Sequence, residues 1–281
     1  MFGKRYDGKL VKNLDGITKM MPLFMPNRMD SQNYVLFEQV AKDMDEYIDA
    51  KEKEGKKYNY MHIATAVLVR LFKMYTKLNR FIVNGRIYQR NNIEVAMVVK
   101  LSLKEGEEED TFKLQFTGNE TLDEVTKKYD EAVFKIKNGK ADKTKITLGK
   151  LPHFGLKAMV GYMKWSDKHG IMPKSLHNSS PFHSSIFLTN LKSLHMDYCY
   201  HHLTNFGTNG FFVAMGKEKF VSKANDDGTV EAIKVVPFGI TMDERYIDGF
   251  YYARGLKALR RILSDPSQLE KPLEEGVVFN R

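Results

Sequence analysis

Val236-Pro237-Phe238-Gly239-Ile240-Thr241-Met242-Asp243-Glu244-Arg245-Tyr246-Ile247-Asp248-Gly249-Phe250 reads as an apolar strand, a tight charged turn and the start of a helix. Four charged residues, Asp243, Glu244, Arg245 and Asp248, fall within six positions between two apolar elements. Part of that placement has a simple cause. An aspartate at Asp248 can accept hydrogen bonds from the first amides of the following helix and complement its dipole, for about 1 kcal/mol. Capping alone leaves the other three charges solvated and without a purpose.

Downstream, Phe250, Ala253, Leu256, Leu259 and Leu263 recur at helical spacing, and Asp265-Pro266 stops the helix, because proline cannot continue the ladder. Upstream, Ser185–Leu191, Gly210–Val221 and Val230–Met242 read as strands, the last two joined by a turn at Asn225-Asp226-Asp227-Gly228. Leu151–His169 has a helical pattern around the sole tryptophan, Trp165, and ends at Gly170. Between them, His177 and His183 flank Asn178-Ser179-Ser180-Pro181, which lacks metal-ligand spacing and reads as a polar loop. Thr121-Leu122-Asp123-Glu124 has the form of a capping box, opening a helix that runs to about Asn138.

In the first half of the chain, Phe81-Ile82-Val83 and Arg86-Ile87-Tyr88 flank Asn84-Gly85, which supplies the positive φ angles of a two-residue hairpin. Strands follow at Ile93–Leu103 and Thr111–Phe116 around an acidic turn, Glu105–Asp110. Asn59–Asn79 is apolar on more than one face and is expected to be the central buried helix. Tyr34, Phe37, Val40, Ala41, Met44, Tyr47 and Ile48 suggest one amphipathic helix over Ser31–Lys53. With no internal repeat and no linker, the expectation is one mixed α/β domain over residues 1–281.

Composition narrows the classes of function. The 281 residues are 42% hydrophobic and 12% aromatic, enough for a full core. No apolar run reaches the roughly 18 residues that span a bilayer, and no apolar stretch follows the charges of Met1–Asp7, so a cytoplasmic protein without a membrane partner is expected. Cys199 is the only cysteine, which excludes an intramolecular disulfide and a cysteine-based zinc site. The net charge of +9 is spread along the chain without an arginine-rich segment, so it argues for solubility and some attraction to a phosphorylated ligand, not for nucleic acid. No Walker loop or GxGxxG is present.

The charged turn resembles the DHRxxDG pattern of 2-oxo acid dehydrogenase acyltransferases and the HHxxxDG pattern of chloramphenicol acetyltransferase, in strand, turn, helix and distance from the C-terminus. Asp243, Arg245, Asp248 and Gly249 match; Glu244 stands where the family has histidine. Three other segments fall in the order the family would require. Tyr60–Asn79 followed by Phe81–Val99 resembles its buried helix and hairpin. Phe187-Leu188-Thr189-Asn190-Leu191 resembles its Thr-Ile-Ser-Asn-Leu strand, and Phe211–Lys217 resembles the strand after it.

The resemblance implies a chloramphenicol acetyltransferase-like fold: an α/β, two-layer domain with a mixed sheet and packed helices, assembled as a homotrimer with the site between subunits. It implies an acyl group moved between coenzyme A and a small acceptor or a dihydrolipoyl thiol, without metal. It also implies a base at Glu244, an ion pair of Asp248 with Arg28, and a hydroxyl donor to the oxyanion at Thr189. No lipoyl or subunit-binding domain is recognisable, so the expectation is that no lipoate is attached to this chain and that a separate lipoyl protein would be the partner for dihydrolipoyl chemistry.

Glutamate is a poor substitute for that base. A thiol near pKa 8.5 gives its proton to an imidazole near 6.5 at a cost of about 2.7 kcal/mol, and to a carboxylate near 4.3 at about 5.7 kcal/mol. His201 and His202, just before the Phe211 strand, are therefore candidates for a displaced base. The alternative is a catalytically silent protein that keeps the fold for binding or assembly.

Overall fold

The computed structural model describes residues 5–100, 109–138 and 152–273. Its central element is β10 (Val230–Asp243), whose second half is buried throughout. Nine consecutive residues of β10, Val235 to Asp243, pair antiparallel with β2 (Gln32–Val40). On its other side β10 pairs first with β9 (Lys219–Ala224) and then with β8 (Phe211–Met215), both antiparallel. Pro237, which has no amide to donate, sits between the β9 and β8 registers, where a central strand tolerates it. The sheet continues through β7 (Ile186–Asn190) and β5 (Ile93–Lys100), parallel to their neighbours, to the antiparallel β6 (Glu109–Phe116). The expected mixed α/β architecture is present.

Alternation along these strands separates two faces. Val95, Met97, Ile186, Leu188, Val213, Met215, Val236 and Ile240 point into the main core. There they meet α3 (Tyr60–Met74), in which every residue except Lys73 is buried, as its all-round apolar pattern requires. The helices α4 (Leu122–Asn138) and α7 (Gly249–Leu263) pack on α3 in turn. The capping box holds: Thr121 N donates to Glu124 Oε2 (2.8 Å), and Glu124 N donates to Thr121 Oγ1 (3.3 Å).

A small sheet of β1 (Gly8–Leu10), β4 (Arg86–Arg90) and β3 (Arg80–Val83) carries the expected hairpin, with φ of 51° at Asn84 and 68° at Gly85. The remaining helices are α1 (Gly16–Phe24), α2 (Lys42–Lys53), α5 (His153–His169) and α6 (Lys174–Ser179). Gly170 ends α5 in the left-handed conformation. Among the described residues, no helix is long and apolar enough to cross a membrane.

Three readings need correction. Ser31–Lys53 is not one helix: Gln32–Val40 is strand β2, and only Lys42–Lys53 is helical. Gly210–Val221 is two strands, interrupted after Met215. His177 and His183 do not lie in a solvated loop; both are buried, His177 within α6. The residues expected at 101–103 and 105–108 lie outside those described.

Candidate active site

The face of the sheet turned away from the main core presents Phe187 and Thr189 from β7 and Phe212 and Ala214 from β8, which alternate with the residues that point into the main core. The chain from Leu191 to Gly210 folds back over this face, and Leu191, Leu203 and Cys199 pack on it. The approach is close. A side chain at Gly239 of β10 would put its Cβ 2.1 Å from the Cys199 carbonyl oxygen, so only glycine lets the covering loop lie on that strand.

Beneath the loop lies a cavity of about 670 Å³, within the range of small-molecule sites. Its walls are largely apolar, with Val98, Val99, Val133, Phe187, Leu191 and Phe212 among them. Thr189, His201 and His202 supply polar groups, and Lys137, from the last turn of α4, is the only charged side chain of the lining among the described residues. Cys199 also reaches the cavity, and burial pushes its thiol pKa up, which leaves it less ionised than an exposed cysteine.

Two aromatic rings from the sheet and the two histidines form a column. Phe187 and Phe212 are parallel, with centroids 4.9 Å apart and planes 4° from parallel. His201 stacks on Phe212 at 4.0 Å and 8°, and His202 follows His201 at 4.8 Å and 22°. The His201 Nδ1 lies 2.9 Å from the His202 carbonyl oxygen. Thr189, two residues beyond Phe187 on the same strand face, lines the same cavity.

The charged turn lies elsewhere. Asp243 is buried and receives a two-pronged bond from Arg245, Nε to Oδ1 at 2.8 Å and Nη2 to Oδ2 at 2.7 Å. Arg245 also donates through Nη1 to the carbonyl of Met25 (2.9 Å), which holds the chain after α1 against the turn. Arg28 faces the same carboxylate, Nε 3.6 Å from Asp243 Oδ2, and donates to the carbonyls of Thr204 (2.6 Å) and Gly207 (2.9 Å). Burial pushes the Arg28 guanidinium pKa down against the attraction of Asp243. Through Arg28 and Asp243, the loop that covers the cavity is tied to the turn that carries Glu244.

Of the six site candidates, the structure brings Thr189, His201 and His202 together in the cavity. Glu244, Asp248 and Arg28 are not part of its lining. The expected ion pair of Arg28 with Asp248 is replaced by the pair with Asp243. Asp248 is exposed and caps α7, its Oδ1 accepting from Tyr251 N at 2.8 Å. Glu244 is half-buried in the turn. Sequence reasoning missed Lys137, Phe187 and Phe212 as lining residues. A period-two reading of β7 and β8 would have placed Phe187 with Thr189 and put Phe212 on one face, whereas nothing local marks Lys137.

A second polar cluster lies apart from the cavity. Asp7 accepts from Arg5 (2.8 Å at both oxygens) and lies 3.0 Å from His177 Nε2, and Arg90 approaches within 3.9 Å. Burial opposes ionisation of Asp7, but these groups hold its carboxyl well below the usual carboxylate range. Asp167 meets Arg5 (2.9 Å) and His183 (3.3 Å). Burial pushes the His183 imidazole down to about 4, against the attraction of Asp167. Glu94 completes the cluster between Arg90 (3.3 Å) and Lys113 (3.7 Å). Among the described residues, no group of three or more His, Cys, Asp or Glu is placed to hold a metal.

No protein-family model and no curated protein matches the sequence. The fold does have solved counterparts. The chain matches the cubic core of the pyruvate dehydrogenase multienzyme complex with a TM-score of 0.59 at 12% identity, over 92% of this chain and 93% of that one. A probable dihydrolipoamide acetyltransferase from Listeria monocytogenes gives 0.57 at 14%, over 96% and 98%. A chloramphenicol acetyltransferase gives 0.51 at 14%, over 91% and 99%. At these identities the shared property is the fold, which is the one the charged turn and its flanking segments resemble.

Proposed function

On this acyltransferase fold, we propose that the chain is a single catalytic domain that transfers an acyl group between coenzyme A and a small acceptor or a dihydrolipoyl thiol. The observation that carries the reading is the convergence of a hydroxyl, Thr189, and two imidazoles, His201 and His202, in one apolar cavity on the sheet. Acyl transfer needs such a set: a base for the attacking thiol or hydroxyl, and a donor for the oxyanion of the tetrahedral intermediate. The cavity also fits an acylated pantetheine arm. Its walls are largely apolar, no carboxylate lines it among the described residues, and Lys137 offers a positive charge to an anionic ligand.

We place the working unit as a homotrimer, in which the Glu244 turn of one subunit faces a neighbour. Glu244 lies outside the lining of its own cavity. α1, which packs against that turn, leaves Ile17, Met20, Leu23 and Phe24 exposed, and Phe250 beside Asp248 is also exposed, an apolar surface suited to burial between copies. A separate lipoyl protein is the second partner if the acceptor is dihydrolipoyl. A cytoplasmic location accords with such chemistry.

Release of free thiol from acyl-CoA, screened against small amines, alcohols and dihydrolipoamide, tests the activity, and light scattering tests the trimer. A monomer at micromolar concentration would remove the shared-site arrangement. Glu244 favours a second reading, an inactive member retained for assembly, since a carboxylate removes a thiol proton about 3 kcal/mol less readily than imidazole does. That reading is the better one if no acyl-CoA is turned over and calorimetry detects no coenzyme A binding.

A further inference from the structure

We infer that His201 is the proton acceptor of this reaction, supplied by the same subunit that supplies Thr189; the inference rests on the acyltransferase reading above. Three observations converge on His201 rather than on His202 or Glu244.

The first is its tautomer. A carbonyl oxygen only accepts hydrogen bonds, so in the neutral ring the 2.9 Å contact of His201 Nδ1 with the His202 carbonyl places the proton on Nδ1 and leaves the lone pair on Nε2. Neutral imidazole acts as a base through the nitrogen without the proton, so this contact selects the tautomer that accepts at Nε2. Among the described residues, His202 has no ring-nitrogen bond that would select a tautomer in this way.

The second is its mounting. His201 lies flat on Phe212, which lies flat on Phe187, so the position of the imidazole is set by side chains of β8 and β7 although the histidine is on a loop. Paired strands are stiffer supports than loops. Thr189 is on the same strand and face as Phe187, so base and oxyanion donor share one foundation.

The third is the contrast with the other histidines that meet a carboxylate. His177 and His183 are buried against Asp7 and Asp167, and His62 Nε2 meets Asp130 at 3.1 Å. Among the described residues, no carboxylate lines the cavity that His201 faces, and none is paired with its ring.

The step balances as follows. Nε2 of His201 takes the proton of the acceptor thiol, and the thiolate attacks the thioester carbonyl, forming the new carbon–sulfur bond. The negative charge moves to the carbonyl oxygen, where the Thr189 hydroxyl donates to it. Collapse re-forms the carbonyl and breaks the bond to the coenzyme A sulfur, which leaves as thiolate and takes the proton back from the imidazolium. Acyl-CoA and thiol become acyl thioester and free coenzyme A, with no redox change.

The test measures steady-state acetyl-CoA and longer acyl-CoA turnover with dihydrolipoamide for the full chain and for His201→Ala and His201→Phe. The phenylalanine variant keeps a ring on Phe212 and guards against a loss that is only structural. Both should lose at least about a hundredfold in kcat, within the range that general bases supply. Added imidazoles should restore part of the rate to His201→Ala but not to His201→Phe, where the ring fills the space, and rescue should grow with the basicity of the imidazole added. Activity of His201→Phe within about threefold of wild type would overturn the assignment. So would a comparable loss in His202→Ala, or a hundredfold gain in Glu244→His, with His201→Ala unimpaired. Absence of turnover in the wild type would instead sink the acyltransferase reading itself.

Discussion

The molecule contains two pairs of neighbouring histidines that received opposite treatment. His177 and His183, with ring centroids 4.5 Å apart, are enclosed with Arg5, Arg90, Lys113, Asp7, Asp167 and Glu94. His201 and His202, with centroids 4.8 Å apart, are exposed, the first stacked on Phe212 and the second on the first, and open on a cavity that no carboxylate lines among the described residues. In the first pair, each ring has a carboxylate partner, and the cluster ties the N-terminal segment to α5, α6 and three strands. In the second, the bond from His201 Nδ1 to a carbonyl selects the tautomer of the neutral ring, and its ring makes no bond to a carboxylate among the described residues. A histidine buried on a carboxylate is committed to structure; one bonded only to a carbonyl at a cavity wall is available for proton transfer.

The comparison breaks first at Asp7. Asp7→Ala would leave Arg5, Arg90 and His177 facing one another without the shared carboxylate, and removing one member of a buried ionic set costs about 3–5 kcal/mol. In a chain of this size that corresponds to a melting temperature lower by roughly 10 °C. A thermal midpoint within about 2 °C of wild type would show that the cluster contributes little.

Acid should act on the same cluster. His183 is held neutral in the folded protein, with its pKa pushed from 6.5 down to about 4, so between those values the unfolded chain binds a proton that the folded one does not. Stability is therefore complete above pH 6.5 and declines as pH falls toward 4, by about 3 kcal/mol in all. Asp167, lowered to about 2 chiefly by His183 and Arg5 against its burial, adds a further loss below pH 3.8. Urea midpoints from pH 7.5 to 4.5 measure the first window. His183→Gln should be less stable at neutral pH but flatter across it, and an unchanged slope would assign the acid sensitivity to other groups.

Legibility in the sequence followed the range of the interactions. The buried helix α3, the Asn84-Gly85 hairpin, the Thr121–Glu124 box and the Asp248 cap are fixed by residues within a few positions of one another, and each was visible. Tyr34, Phe37, Val40 and Ala41 fit helical spacing, but β2 is set by nine residues of pairing with β10, some 200 positions away, which no local period reports. The buried cluster was hidden for a related reason. Arg5, Asp7, Arg90, Asp167 and His183 look like ordinary surface residues until the chain brings them together. The Arg28 pairing was also non-local, although one clue was available. Asp248 stands at the first turn of a helix, so its carboxylate had amides to accept from, and Asp243 remained to take the arginine.

That pair of aspartates repeats the histidine contrast on a smaller scale and gives the smallest expected effect. Asp243 is buried between Arg245 and Arg28, whereas Asp248 is exposed and accepts one amide at 2.8 Å. Asp248→Ala should therefore cost about 1 kcal/mol, the usual value of an N-cap, because no buried charge is stranded when it goes. Asp248→Asn should recover most of this, since an asparagine oxygen caps as well. Asp243→Ala leaves two buried guanidinium groups without their carboxylate and should cost at least about 3 kcal/mol. The test is the ratio of the two losses in urea unfolding. Equal losses, with Asp248→Asn no better than alanine, would mean that Asp248 meets a buried cation, as a neighbouring subunit of the proposed trimer would supply.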